Sequence, residues 1–289
     1  MLKKRYYSYW LLSPGMLVFF VFFIVPSLMG FYFAFTDLDA SFKVTRFVGF
    51  DNFVTLYDNP SNLLAFKNTF IFAVVTTVFK IGLGLLLAIL ANQRLKSRLL
   101  LRSVLFFPVI LSTIAVAIAF KAIYHPSTGI LNVFLRAVGL DSLAMNWLTD
   151  PALVMYSISF VEIWKWTGFS MMLFLAALQS MPQEVTEAAK IDGASSWQHF
   201  RFITLPMLTP VMNTNVILSV IGGLKVFDVV YALTGGGPGN ASNVINTAVF
   251  KAFAAGRNGE ATAANLVLFV LILIAVLSLN KVINRDASR

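Results

Sequence analysis

The hydrophobic and polar positions alternate on a long scale, giving six extended apolar runs separated by short polar segments. The runs lie near residues 10–35, 64–91, 104–120, 152–178, 205–226 and 261–279. Each is long enough to approach or cross a hydrocarbon core of ~30 Å as a helix. The second and fourth carry internal charges, among them Lys80, Glu162 and Lys165. Pro14 and Pro26 fall within the first run. Unpaired backbone is costly against lipid, so they predict a kinked or broken helix there rather than irregular chain.

Composition agrees with this pattern. The 289 residues are 58% hydrophobic and 12% charged, with 28 phenylalanines, outside the range of water-soluble domains. The first run is too long for the apolar core of a secretion signal and has no small-residue cleavage site after it, so it reads as a retained span. There is no cysteine, which removes disulfides, thiolate metal sites and lipoprotein anchoring.

A net charge of +9 would suggest nucleic acid in a soluble protein, but here its placement decides. Lys3, Lys4 and Arg5 precede the first run, and Arg94, Lys96, Arg98 and Arg102 fill the second loop without an acid. The positive-inside rule places both in the cytoplasm. The first loop mixes Asp37, Asp39, Asp51 and Asp58 with Lys43, Arg46 and Lys67, and the third holds Lys121, Arg136, Asp141 and Asp150. These balanced loops face outward. The predicted topology has both termini and residues 181–204 in the cytoplasm and residues 228–260 outside, in agreement with Lys281, Arg285 and Arg289 near the end. No segment reads as a linker between soluble domains, so a single membrane domain over 1–289 is expected, with no internal repeat evident. The aromatic and turn-rich loop at 37–62 predicts an ordered cap with a short helix beginning near Asp51, or a docking surface for an outside partner.

The sharpest polar interruption is EAAKIDGASSWQHFRFITLPML at 187–208. Pro182 suits a helix's first turn, with Glu184 and Glu187 near its positive end. Val185, Ala188 and Ala189 fall on one face, and Glu184, Glu187 and Lys190 largely on another. Gly193 can stop that helix in the left-handed conformation, and Ser195 or Ser196 can cap a second short one that presents Trp197 and Phe200 together. The segment reads as helix, glycine turn, helix. It suits either an amphipathic hairpin on the lipid headgroups or a protruding knob for a cytoplasmic partner.

Glu187, Ala188 and Ala189, then three residues, Gly193, nine residues, and Ile203, Leu205 and Pro206 carry a resemblance. The pattern resembles the EAA loop of membrane subunits of binding-protein-dependent ABC importers. IDGAS at 191–195 and LTGGGPGNAS at 233–242 are similar to sugar-importer permeases, on the side of the maltose-type first subunit in its shorter, six-span form. The resemblance implies an all-α integral membrane protein with six transmembrane helices, the type I ABC importer permease fold and cytoplasmic termini. It also implies a bacterial or archaeal cytoplasmic membrane, multi-pass. The implied partners are a second permease subunit, two copies of a cytoplasmic ATP-binding subunit, an extracytoplasmic solute-binding protein and a sugar or oligosaccharide. Glu187, Ala188, Ala189, Asp192, Gly193, Leu205 and Pro206 would form the ATPase-coupling contact, with Glu187 meeting a basic residue of the ATPase.

No G-x-x-x-x-G-K-[ST] occurs, so no cofactor is expected on this chain, and ATP and magnesium would be bound by the ATPase subunits. Gly82 and Gly84 instead suit close helix packing, and Gly235 to Gly239 a tight turn after span five or a guide for substrate.

An ionisable side chain at the centre of a span costs roughly 2.5–3.5 kcal/mol on insertion scales, so each needs a partner, a cavity or an interface. Glu162 and Lys165, three residues apart, can pair on one helix face, and Trp164 and Trp166 beside them suit the apolar faces of a sugar ring. Asn213, Asn215, Ser219 and Asp228 are the other substrate-path residues of the reading, with Lys225 near the outer end of span five and Asn215, Ser219 and Gly222 forming a helical stripe. A local ion pair and interhelical hydrogen bonds are the plainer uses of these groups. Lys80 has no evident partner in sequence. His125 and His199 fall on opposite sides of the predicted membrane, which excludes a shared metal site. No cluster suits a membrane-embedded enzyme. An importer of glycerol 3-phosphate or another polar solute, and an ATP-independent carrier using the intramembrane charges, are the alternatives.

Overall fold

The computed structural model describes residues 9–41, 46–93 and 96–287. Lys3, Lys4, Arg5, Lys43, Arg94 and Arg289, which enter the charge argument above, lie outside the described residues. The chain is built from helices: α1 (Ser13–Phe33), α2 (Asp51–Asp58), α3 (Pro60–Asn92), α4 (Arg98–Ile110), α5 (Thr113–Ile123), α6 (Ile130–Ala137) and α7 (Val154–Gln179), followed by α8 (Gln183–Ile191), α9 (Ser196–Leu224), α10 (Asp228–Thr234), α11 (Ile245–Ala254) and α12 (Asn258–Ala287). Five are long and apolar enough to cross a membrane, α1, α3, α7, α9 and α12, and the bent pair α4–α5 makes a sixth if it is one span.

Two span expectations, those for spans three and five, are corrected, and one of the alternatives for span one is set aside. Span three is not a straight helix over 104–120: α4 and α5 meet at 97° across Leu111 and Ser112, both extended. Span one is helical throughout, as expected, and is not broken. Its helix runs through a π turn, Phe20–Ile24, in which the Val25 N–H reaches the Phe20 carbonyl one residue ahead of Pro26. The wider turn relieves the clash a proline makes with the carbonyl four residues back. Span five begins at Ser196, so the predicted second hairpin helix is the first turn of α9. The same device carries it past Pro206: Phe200–Thr204 is a π turn and the Leu205 N–H reaches the Phe200 carbonyl.

The chain divides into two compact units. The first comprises residues up to Asn62 together with Ala248–Val270. Ala34, Leu56, Ala263 and Ala264 form its buried centre, flanked by Phe35 and Phe53. The predicted helix at Asp51 is present as α2, and Asn52 Nδ2 donates to the carbonyls of Ala34 and Thr36, both at 2.9 Å. Gly259 is required by close approach, since a Cβ there would strike the Thr36 carbonyl. None of the apolar window of α1 is buried, which a helix tolerates where its surroundings are lipid.

The second unit comprises Leu63–Thr247 and Leu271–Arg289. Its hub is α7, whose Ile158, Val161, Met171 and Phe174 are fully buried between two clusters. One cluster gathers Phe72, Val116, Val154, Val230 and Val244, and the other Ala88, Ala91, Leu175 and Leu208. Glu162 and Lys165 lie on the buried side of α7, while Tyr156, Phe160 and Trp164 keep an apolar stripe exposed, which is how the helix holds charges and is still a span. Lipid supplies little hydrophobic force between helices, so close backbone approach and interhelical hydrogen bonds hold the bundle. Gly84 of α3 makes such an approach, for a Cβ there would lie 2.6 Å from Ser170 Cβ of α7, whereas one on Gly82 would meet nothing within 4 Å. Gly84→Val is therefore expected to lower the thermal unfolding midpoint of the purified protein strongly, and Gly82→Val to leave it unchanged. Equal effects would show that the α3–α7 approach is not limiting.

The glycine cluster does not directly follow span five. α10 intervenes, and Gly235 ends it in the left-handed conformation (φ 60°). The loop is then fastened to α3, with Asn68 Nδ2 donating to Ala241 and Asn243 carbonyls at 2.8 and 3.0 Å and the Ile245 N–H donating to Thr69 Oγ1 at 2.9 Å.

Candidate functional site

Two polar features of the second unit are joined by α9. The first is a cavity of about 290 Å³ among α3, α5, α7, α9 and the start of α10. Glu162, Trp166, Phe169 and Ser170 reach it from α7 at helical spacing, and Asn215, Leu218, Ser219 and Gly222 from α9. Lys80 and Thr113 add to the wall from α3 and α5, as do the five residues from Lys225 to Val229.

The charges pair differently from the sequence expectation. Glu162 lies 3.8 Å from Lys80 Nζ, a cation one helix away, and the two are 8% and 4% exposed. Lys80 thus gains a partner that sequence did not show. Lys165 turns to the neighbouring side of α7, where its Nζ donates to the Val109 carbonyl at 3.3 Å and lies 4.7 Å from the centre of the Trp166 ring. The same-helix pair of Glu162 with Lys165 is therefore replaced by a pair across helices, because Lys80 projects into the same cavity wall.

Asn215 is 1% exposed and is held by α7, accepting from Ser170 Oγ at 3.1 Å. The structure thus brings together Glu162, Trp166, Asn215, Ser219 and Asp228 of the predicted path. It leaves out three. Trp164 is 40% exposed with its edge on Phe120, Lys165 faces α4, and Asn213 lies half-buried outside the lining. Lys80, Thr113, Phe169 and Ser170 were missed as site residues. An unpaired intramembrane cation was the available signal for Lys80, while Thr113 depends on the bend of span three, for which Pro108 and the polar pair Ser112 and Thr113 were the available signals.

The second feature is the hairpin at 183–206. α8 ends in a left-handed Gly193 (φ 73°), and the Ala194 N–H returns to the Ala189 carbonyl at 2.9 Å. That bond closes the helix end and fixes the turn. Ser195 then opens α9 with a capping box: its N–H donates to Gln198 Oε1 at 2.8 Å, and its Oγ accepts from the Gln198 N–H at 3.3 Å. Trp197 and Phe200 pack together at 5.8 Å, as their spacing predicts. Glu187, Ala188 and Asp192 are exposed and Ala189 is buried, so the helix presents an acid and a small residue outward over a fixed base. Leu205 is half-buried and Pro206 exposed on the continuous α9.

Beneath the hairpin is a cleft of about 710 Å³ whose lining includes Arg98, Arg102, Gln179, Glu187, His199 and Thr204. Arg102 donates to the Ala91 carbonyl through Nη2 at 2.9 Å and Nε at 3.3 Å, tying the last turn of α3 to α4. That it lines one cleft with Glu187 was not legible in sequence, where it served only as a loop charge. Among the described residues no group of three or more His, Asp or Glu is placed to hold a metal ion.

Comparison with known proteins gives three concordant results. The family described as binding-protein-dependent transport system inner membrane component matches residues 80–289. The chain is 36% identical over 280 residues to a probable ABC transporter permease protein, YurN, of Bacillus subtilis, covering 96% of this chain and 95% of that one. It is 36% identical over 267 residues to the trehalose/maltose transport system permease protein MalF of Thermococcus litoralis, covering 92% and 90%. Among solved structures, a bacterial ABC transporter involved in import of the acidic polysaccharide alginate superposes with a TM-score of 0.85 at 29% identity, covering 96% of this chain and 94% of that chain.

Proposed function

We propose a division of labour for this chain, which belongs to the family of binding-protein-dependent transport system inner membrane components and is a multi-pass permease of an ABC importer. The cavity of the second unit is its share of a translocation path for a sugar or oligosaccharide, and the 183–206 hairpin is its contact with an ATP-binding subunit. One observation carries this reading: both features lie on the same helix. Ser196, at the hairpin, and Asn215 and Ser219, at the cavity, belong to an unbroken α9. From Ser196 to Ser219 that helix rises roughly 35 Å at 1.5 Å per residue. A rigid rod between two sites transmits displacement, whereas a flexible connection absorbs it.

The arrangement completes the assembly. A second permease subunit closes the open side of the path, two copies of the ATP-binding subunit bind ATP and magnesium in the cytoplasm, and an extracytoplasmic binding protein delivers the solute. The hairpin and both termini face the cytoplasm of a bacterial or archaeal cell, as the basic second loop requires. This chain supplies no nucleotide chemistry. Closure of the ATPases pushes Glu187 and the exposed edge of α8, the Gly193 turn passes the motion to α9, and the cavity changes the side to which it opens. Trp166 and Phe169 offer apolar faces to a sugar ring, and the Asn215 amide, the Ser219 hydroxyl and the Glu162 carboxylate offer hydrogen-bonding edges.

Uptake of a panel of labelled oligosaccharides, with glycerol 3-phosphate alongside, tests the substrate class. One or more oligosaccharides are expected to be transported, and Trp166→Ala to raise their KM at least tenfold while the chain still assembles with its ATPase. Transport of glycerol 3-phosphate alone would overturn the sugar reading.

A further inference from the structure

The bend of span three poses a problem that one side chain answers. α4 ends at Ile110 and α5 starts at Thr113, turned by 97°. The carbonyls of the last turn of α4 lose their helical partners at such an end, and inside a membrane there is little water to replace them. The Leu111 N–H returns to the Pro108 carbonyl at 3.3 Å. The Val109 carbonyl is met by the ammonium of Lys165, which is 3% exposed and 3.3 Å away. A cation also suits this position electrostatically, because the C-terminal end of a helix carries partial negative charge.

The same face of α7 grips α4 one turn further along. A Cβ on Gly168 would strike the Leu105 carbonyl, so the two backbones touch there. Lys165 and Gly168 thus hold α4 at two levels, one by a donated hydrogen bond and one by contact. Beyond the bend, Thr113, the first residue of α5, lines the cavity together with Glu162.

We infer that Lys165 is a positioning residue: its ammonium caps the Val109 carbonyl at the break in span three, fixes the bend, and so sets where the start of α5 stands against the cavity. This assigns Lys165 a task other than solute contact, in keeping with its absence from the cavity lining. The inference rests on reading that cavity as part of the translocation path. Its test reads backbone geometry without any solute, so failure of the test leaves that reading standing.

The chain has no cysteine, so pairs of spin labels can be placed at will. Phe107 on α4 and Ile118 on α5, 57% and 65% exposed, flank the bend. The full-length chain labelled at these two positions, in native lipid discs that retain its assembled subunits, is measured by pulsed dipolar spectroscopy. The parent is expected to give a narrow distance distribution. Lys165→Met, of similar length but without a donor, should broaden or shift it, and Lys165→Arg, which keeps charge and donor, should restore it. Should Lys165→Met fail to accumulate in membranes, Lys165→Arg, and to a lesser degree Lys165→Gln, whose amide donor ends one atom short of the ammonium, should recover the fold and the narrow distribution. An unchanged distribution in Lys165→Met, or no recovery by either donor-bearing variant, overturns the proposal.

Discussion

Gly193→Pro is expected to abolish uptake and contact with the ATP-binding subunit while leaving the protein in the membrane. The glycine sits at φ 73° with nothing within 4 Å of where a Cβ would lie, so crowding is not the constraint; conformation is. Proline holds φ near −65° and cannot make this turn. An ordinary L-residue reaches the left-handed region at a cost of roughly 1–2 kcal/mol. Gly193→Asn should therefore keep most activity, Gly193→Ala should lose part, and Gly193→Pro should lose all of it. The spans do not depend on the turn, which separates coupling from folding. Uptake, co-purification with the ATPase and membrane yield, measured together, check the order. Parent-level uptake in Gly193→Pro would mean that the turn passes no motion to α9.

The second large effect concerns the buried pair. Lys80 and Glu162 are 3.8 Å apart and almost wholly enclosed, so removing one leaves the other buried beside an empty position. Breaking such a pair costs about 3–5 kcal/mol, whereas replacing both members is often nearly neutral. Lys80→Met and Glu162→Gln are each expected to lower the thermal unfolding midpoint in detergent. The double substitution should recover much of that loss, giving a positive coupling in a double-mutant cycle. Losses that simply add would show that the two side chains do not act as a pair.

How far the sequence could be read follows from the range over which each feature is encoded. The hairpin is local: a proline before α8, a glycine at its end and a Ser195 cap all act within a few residues, and helix, turn and cap stand where these residues place them. The apolar runs show as helices for the same reason, since length and hydropathy need no neighbours. What escaped depends on packing. The π turns ahead of Pro26 and Pro206 let two helices continue where proline alone suggests a break. The bend at Leu111 and Ser112 follows Pro108 and falls on the polar pair Ser112 and Thr113, but its angle depends on α7, dozens of residues away. The Lys80–Glu162 pair is 82 residues apart in sequence, and only the packing of α3 on α7 chooses Lys80 over the nearer Lys165 as partner.

The central claim is that this chain moves its solute as one part of an ATP-driven assembly, through a cavity tied by α9 to the hairpin. Proteoliposomes carrying the chain with its partner permease and ATPase, with ATP inside the lumen on the ATPase side and the solute-binding protein opposite, test it most directly. Uptake of labelled oligosaccharide is predicted to require ATP and every subunit, and to vanish with Gly193→Pro. Transport by this chain alone, driven by an ion gradient without ATP, would contradict it.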